Sequence, residues 1–241
     1  MAQSWNRLTL FNREGLGCCL LDDEKVKSFS IAANFLTIRA INMEIIVKIF
    51  TPLWRARNGF KIQSFGDHKI LFTFDNKEDV DRILEGEPWS FDKHLVVMSR
   101  YENELPLKDI QFEKTKLWVQ VHGITIKYMT IEAAKKICSV LGEVSTSIDP
   151  KLYDGGHFIR IKVSIDLSLP LCHGKLISFG ESGKQVWILF KYERLPNLCY
   201  WYGRLTHYDR DCEPWIDNEG TLKVEQHEFG PQLRATPFRS C

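Results

Sequence analysis

The apolar positions of the chain follow two different spacings. In some stretches every second residue is apolar, which is the period of a half-buried strand, and in others apolar residues recur every three to four positions, as on one face of a helix. The two kinds of stretch alternate along the chain. This pattern predicts an α+β fold of small sheets that carry short helices.

Two helices of the first half have recognisable ends. Asn42 is a suitable N-cap for the first helix, and Pro52 should end or kink that helix near Phe50. Asp75 and Glu78 have the spacing of a capping box at the start of the second helix. Gly86 stands where its C-terminal cap belongs.

The strands of the first half complete the pattern of a small module. Residues 60–66 and 69–75 alternate and are joined by a turn at 66–68, which predicts a hairpin. Residues 94–100 form a further strand, and the weaker run 29–38 is the candidate first strand. The predicted order is βαββαβ, which ferredoxin-like and RNA-recognition-motif folds share.

The second half predicts a shortened version of the same module. Residues 117–122 form a strand, Thr130 caps a helix, and Gly142 ends it. Residues 167–183 lack the pattern of a second helix, so a truncated βαββ-β order is expected. The remaining strands are predicted at 144–148, 157–166 and 185–192.

A short motif follows the second module. Cys199, His207 and Cys212 have the spacing of three of the four ligands in a zinc knuckle, C-x2-C-x4-H-x4-C. Gly203 matches the glycine that allows a tight turn after the second ligand. The second ligand position itself is occupied by Tyr202.

Tyr202 makes zinc binding doubtful. Structural zinc sites use four ligands, and a phenol with a pKa of about 10 replaces a thiol poorly. Water, Asp209 or Asp211 are alternative fourth ligands, although the sequence does not show how any of them would be positioned. The other interpretation is a relic of a knuckle that no longer binds metal.

Several segments resemble the protein encoded by the first open reading frame of plant LINE-type retrotransposons, and the gag-like domain of unknown function found in plant genomes. The resemblance covers about residues 26–212. It rests on the runs Leu53-Trp54-Arg55, Leu84-Glu85-Gly86-Glu87-Pro88-Trp89-Ser90-Phe91-Asp92, Leu117-Trp118-Val119-Gln120-Val121-His122-Gly123 and Phe190-Lys191-Tyr192-Glu193-Arg194-Leu195-Pro196. The run Phe229-Gly230-Pro231-Gln232-Leu233-Arg234-Ala235 after the knuckle also fits, with Gln232 where the family usually has Trp. It implies an RNA-recognition-like fold that binds RNA or single-stranded DNA and has no catalytic activity.

These signals divide the chain into six parts. They are an N-terminal tail (1–25), a first module (26–101), a linker (102–115), a second module (116–195), the knuckle (196–213) and a C-terminal tail (214–241).

One set of candidate nucleic-acid contacts lies on the second sheet. If the strands 117–122 and 157–166 are neighbours, alternation places Trp118, Phe158, Arg160 and Lys162 on the face away from the core. Aromatic rings that stack on bases and cations that follow the backbone are typical of single-strand binding. The alternative is that the two rings pack under the linker or against the first module.

A second set surrounds the knuckle. Tyr200, Trp201 and Tyr208 are interspersed with Arg204 and Arg210, and aromatic residues on so small a loop are expected to find little core to join. We therefore expect them to contact bases.

The charge balance limits how the protein can bind nucleic acid. With 32 Lys and Arg against 31 Asp and Glu, the formal net charge is +1, so binding must rely on local patches. The seven cysteines are odd in number, which favours a reducing intracellular compartment, nuclear or cytoplasmic. No apolar run approaches the roughly 20 residues of a membrane-spanning helix, so no membrane partner is expected.

Other functions receive less support. Residues 180–184 lack the first glycine of a phosphate-binding loop, and no nucleophile has a base nearby in sequence, so neither an enzyme nor a small-molecule substrate is predicted. A protein-interaction adaptor with the same fold is the main alternative, because the near-neutral charge suits it. A retroelement remnant without a selected role is the third.

Overall fold

The computed structural model describes residues 28–102, 106–145, 156–180, 183–218 and 227–236. The tail predicted over 1–25 lies outside these residues. Within the described ranges, no helix is both long and apolar enough to cross a membrane.

The first module is a five-stranded antiparallel sheet with two helices. The elements are β1 (Phe29–Phe35), α1 (Met43–Trp54), β2 (Lys61–Ser64), β3 (Lys69–Phe74), α2 (Lys77–Glu85), β4 (Trp89–Phe91) and β5 (His94–Tyr101). The strands lie in the order β2-β3-β1-β5-β4, so the first strand is central, between the third and the fifth. The predicted βαββαβ order is confirmed, and β4 adds a short hairpin before the last strand.

Helix α1 begins as predicted and ends later than predicted. The Asn42 side chain accepts a hydrogen bond from the Glu44 backbone N–H at 2.9 Å, as an N-cap does. Pro52 lies within the helix, which continues to Trp54. The rings of Phe50 and Trp54 stack at 4.5 Å and are fully buried, so core packing outweighs the hydrogen bond that proline removes.

Helix α2 is capped by a different residue from the one predicted. The N-cap is Asn76 rather than Asp75, because the Asn76 side chain accepts from the Asp79 backbone N–H at 2.8 Å. The predicted C-terminal cap is confirmed, since the Gly86 N–H donates to two carbonyls of the last turn.

The second module is also a five-stranded antiparallel sheet. Its elements, with a short helix that follows them, are β6 (Lys114–His122), α3 (Ile131–Cys138), β7 (Gly142–Val144), β8 (Phe158–Asp166), β9 (Gly174–Phe179), β10 (Lys184–Tyr192) and α4 (Glu213–Asp217). The strand order is β7-β8-β6-β10-β9.

Thr130 caps α3 as predicted, but α3 ends at Cys138, and Gly142, the predicted end of the helix, begins β7 instead. β7 therefore lies earlier than the predicted 144–148, and the end of the predicted strand lies outside the described residues. β9 was not predicted; it pairs with β10 in the segment whose pattern predicted no second helix.

The knuckle segment helps to fill the core of the second module. In the first module, α1 and α2 supply the helical side of the core. In the second, α3 is joined by buried side chains from the knuckle and the segment after it. These side chains are Leu198, Leu205, Phe229 and Leu233.

The two modules pack directly on each other through β5. Val96 and Met98 belong to the first core, whereas Leu95 and Val97, on the opposite face of the same strand, belong to the second. The backbone N–H of Asn197 also donates to the Lys93 carbonyl across the junction at 2.6 Å. Residues 94–98 of β5 are therefore buried on both faces of the strand.

Candidate metal site and nucleic-acid interface

The structure brings together the three candidate zinc ligands. One donor atom from each of Cys199, His207 and Cys212 lies within 4.8 Å of the other two. Both cysteines are buried and the histidine is half-buried. Two thiols and an imidazole at this separation can converge on one zinc ion.

A tight turn brings the first cysteine towards the other ligands. The Gly203 N–H donates to the Cys199 carbonyl at 2.7 Å, and the Cys199 N–H donates to the Arg204 carbonyl at 2.9 Å. Gly203 has φ 65°, and a Cβ at this position would lie 2.3 Å from the Phe229 ring. Glycine is therefore required here by both the backbone and the packing.

The chemistry of the donors fits zinc. The His207 Nε2 atom is buried and has no hydrogen-bond partner among the described residues, a costly state that a metal would relieve. Burial lowers the pKa of His207, which favours the neutral ring that binds metals. Burial raises the pKa of Cys199 to about 11, so metal binding must displace a proton from this thiol.

Neither of the two carboxylates suggested as a fourth ligand lies with the other three donors. Tyr202 is 45% exposed, and neither Asp209 nor Asp211 belongs to the donor cluster found in the described part of the chain. The Asp209 carboxylate instead accepts a hydrogen bond from the Tyr200 backbone N–H. Three protein donors are thus available.

The aromatic residues of the knuckle pack more closely than expected. Trp201 stacks on Trp215 with ring centroids 5.6 Å apart and meets His227 edge-on at 4.3 Å. Tyr200 packs against the second core. The expectation that these rings find little core to join was therefore wrong, because the segment after the knuckle folds back over them.

The remaining predicted contacts of the knuckle differ in exposure. Arg204 is exposed and Tyr208 is half-buried, whereas the Arg210 side chain lies outside the described part of the structure. Among these residues, Arg204 is thus the one whose charge clearly faces solvent.

The basic part of the predicted sheet surface is occupied from within the protein. The Arg160 guanidinium lies 3.8 Å from the Trp118 ring centroid and donates to both carboxylate oxygens of Glu193 at 2.8 Å. Lys162 is 6% exposed and donates to the Glu85 carbonyl of the first module. The expectation of an open basic face was wrong here, because the first module covers this end of the sheet.

A buried hydrogen-bond network extends this covered region. The Gln120 amide donates to Glu193 at 2.8 Å and to the Thr236 carbonyl at 2.9 Å, and its oxygen lies 3.1 Å from His122 Nε2. Glu193 is only 3% exposed. The C-terminal segment thus covers the middle of the sheet face.

The other end of the same face is open and rich in rings. The rings of His122 and Phe158 lie 4.8 Å apart on neighbouring strands, and Leu189 pairs with His122 across the next strand. Trp187 and Leu176, a cross-strand pair, are 51% and 50% exposed. We call these five residues the open sheet end.

Sequence reasoning missed the largest ring of the open sheet end. In β10 the residues Ile188, Phe190 and Tyr192 are buried, which places Trp187 on the opposite face. Its indole lies over Gly174, where a Cβ would come within 2.8 Å of the ring. The alternation of apolar and polar residues in 185–192 already indicates that Trp187 faces away from the core.

Two segments of the chain match known protein families. Residues 23–109 match a family described as Domain of unknown function (DUF4283), and residues 165–214 match a family described as Zinc knuckle. These two parts of the chain are therefore similar to a DUF4283 domain and to a zinc knuckle. The zinc-knuckle match begins inside β8, which agrees with the packing of the knuckle into the second core.

An uncharacterized protein of Arabidopsis thaliana is 29% identical over 161 residues. The aligned region covers 66% of this chain and 50% of that protein, so the chain spans about half the length of this relative. No solved structure matches the chain.

Proposed function

We propose that the protein is a non-enzymatic binding protein for single-stranded nucleic acid, RNA or DNA, of retrotransposon gag-like origin. It acts in a reducing intracellular compartment, in the nucleus or the cytoplasm. The zinc-knuckle match supports nucleic-acid binding in general, and the surface of the second module supports the preference for single strands.

The open sheet end is the observation that carries this proposal. Unpaired bases stack on exposed aromatic rings, each at a gain of about 1 to 3 kcal/mol. Trp187 offers a half-exposed indole on one side of this surface, and the Phe158 and His122 rings lie on the other. Lys191, on the same face of β10, provides a positive charge beside them for the phosphates.

The knuckle contributes a zinc-stabilised element to this function. Cys199, His207 and Cys212 would hold the ion, and a water molecule would occupy the fourth position because Tyr202 supplies no thiol. Zinc bound there would link the two ends of the loop. The loop in turn supports the core through Leu198.

The adaptor remains the second candidate, and one observation favours it. Leu176 and Leu189 of the open sheet end are apolar and about half exposed, and such patches also mark protein interfaces. The two functions differ in their dependence on salt, since only phosphate binding releases counterions.

Titration of the zinc-loaded protein with a fluorescent single-stranded RNA at several salt concentrations tests the proposal. We expect Trp187→Ala to weaken binding by about 1 to 3 kcal/mol, because one stacking ring is removed. Phe65→Ala, which removes a ring of similar exposure (48%) from the first module, is the matched control and should bind like the unmodified protein. Absence of affinity at low salt would favour the adaptor.

A further inference from the structure

A cleft of about 590 Å³ lies at the junction of the two modules, away from the rings of the open sheet end. Its lining includes three exposed cationic side chains, Lys93, Arg194 and Arg234. Leu53, Trp89 and Pro196 contribute apolar surface. No carboxylate is among its lining residues.

The positive charge of this cleft is not neutralised by nearby acids. Lys93 and Arg194 have no carboxylate partner in the described ranges. The acids beside them in sequence or space are already engaged by other cations. These pairs are Asp92 with Arg39, Glu87 with Lys116, and Glu193 with Arg160.

Contacts across the junction hold the cationic residues in place. The Lys93 carbonyl accepts from the Asn197 N–H, and the Arg194 guanidinium donates to the Gly86 carbonyl at 3.4 Å. The Arg234 guanidinium donates to the carbonyls of Leu195 and Pro196. Because the backbone contacts come from both modules, the cleft is preorganised when the modules are packed.

The cleft borders the knuckle segment, because its lining includes Pro196 and Asn197. Cys199, the first candidate zinc ligand, follows Asn197 by two positions. Apolar surface beside unpaired cations suits a sugar–phosphate backbone, whose sugars are less polar than its phosphates.

We propose that this cleft binds the phosphate backbone of the single-stranded nucleic acid, with Lys93 and Arg194 contacting phosphates and Arg234 shaping the site. This inference rests on the proposed function and adds a binding site in which the first module takes part. It also gives the packing of the two modules a functional consequence, because neither module alone forms the cleft.

The test compares two double variants with the same loss of charge. Lys93→Gln with Arg194→Gln removes the two free cations of the cleft, whereas Lys48→Gln with Lys136→Gln removes two exposed cations from helices α1 and α3. Affinity for a single-stranded oligouridylate is measured on the zinc-loaded full chain between low and moderate salt. Melting temperatures show whether each variant is folded.

We expect the cleft variant to bind roughly tenfold more weakly, with a log–log salt slope shallower by about 1.4, since each lost phosphate contact removes about 0.7. The helix variant should keep the affinity and the slope of the unmodified protein. Equal affinities and slopes for the two variants, with RNA binding intact, would overturn the cleft site alone. Absence of binding by the unmodified protein would overturn the proposed function itself.

An acidic peptide is the competing occupant. Oligoglutamate should neither bind the unmodified protein measurably at moderate salt nor displace the RNA. Binding of oligoglutamate that the cleft variant loses, together with unchanged RNA affinity, would assign the cleft to a protein partner and contradict the inference.

Discussion

The two modules share a sheet topology and differ in what completes them. The first closes its core with two helices, and the second with one helix and the knuckle segment. The outer face of the first sheet contributes Leu95 and Val97 to the neighbouring core, whereas that of the second carries a buried ion pair in its middle and exposed rings at one end. The first module thus supports the junction, and the second provides most of the candidate binding surface.

Because of this difference, the knuckle is part of the second module rather than a separate element. A knuckle on a flexible linker would fold or unfold alone, but this one shares buried side chains with the second sheet. Loss of the metal should therefore weaken the whole second module and leave the first largely unaffected.

The largest expected effect concerns the ion pair of the second sheet. Arg160→Ala leaves Glu193 buried without its partner, which should lower the free energy of unfolding by about 3 to 5 kcal/mol in urea denaturation. Arg100→Ala breaks a partly exposed ion pair with Asp81 in the first module and should cost about 1 kcal/mol or less. Equal losses of unfolding free energy in the two variants would show that water reaches the Glu193 carboxylate in solution.

The next effect tests whether the knuckle replaces a helix. Leu198→Ala removes a fully buried side chain and should cost about 2 to 5 kcal/mol, similar to Ile83→Ala on α2 of the first module. Leu169→Ala, at a 59% exposed position, is the control and should change little. A small loss of unfolding free energy for Leu198→Ala would show that the knuckle does not stabilise the core of the second module as α2 stabilises that of the first.

Restoring a fourth protein ligand tests whether position 202 faces the metal. Tyr202→Cys should strengthen zinc binding by roughly 3 kcal/mol, about a quarter of the 10 to 16 kcal/mol of a complete finger. Competition with a chelator measures the change, and Tyr202→Ser controls for loss of the ring. Unchanged affinity in the cysteine variant would mean that position 202 does not face the metal.

The junction between the modules should respond to pH. Burial raises the pKa of Glu87 to about 7, so its stabilising contribution is complete below its unfolded value of 4.5 and is lost as the pH rises through 7. Burial has the opposite effect on Lys162 and lowers its pKa from 10.5 to about 8. The stabilising contribution of the neutral amine is therefore complete above its unfolded value of 10.5 and is lost as the pH falls through 8. Together these two pKa shifts predict that the packing between the modules contributes least to stability between about pH 7 and 8.

Glu87→Gln removes the acidic side of this dependence. Between pH 5 and 8 the unmodified protein should lose on the order of 2 kcal/mol that the variant retains, as measured by thermal unfolding at each pH. Glu132→Gln, an exposed change on α3, should leave the dependence as it is. A parallel decline in all three proteins would mean that Glu87 is hydrated at the junction.

The elements that sequence predicted well are those with local signals. Asn42, Thr130 and Gly86 act within a few residues of themselves, so the ends that they mark can be read from the chain. Most strands of the two sheets followed from alternation, whereas the short strand β4 was not predicted and β7 lies earlier than the predicted 144–148. β9 was missed because its residues include Gly174 and a mixed run of polar and apolar side chains.

The candidate site was harder to predict because its contacts join distant residues. Lys162 has the position of an exposed residue in β8, and its burial depends on Glu85, which lies 77 residues earlier. Arg160 meets Glu193 and Gln120 meets Thr236 in the same way. The alternation of apolar and polar residues along a strand predicts which face of the sheet a side chain occupies, but not which distant segment covers that face.

Native mass spectrometry of the full chain with zinc and a short single-stranded RNA tests the central proposal most directly. We predict one species that carries a single zinc ion and one RNA strand, and loss of the RNA from that species as ammonium acetate is raised. A spectrum that shows only the bare chain at low salt, with both ligands in excess, would contradict the account.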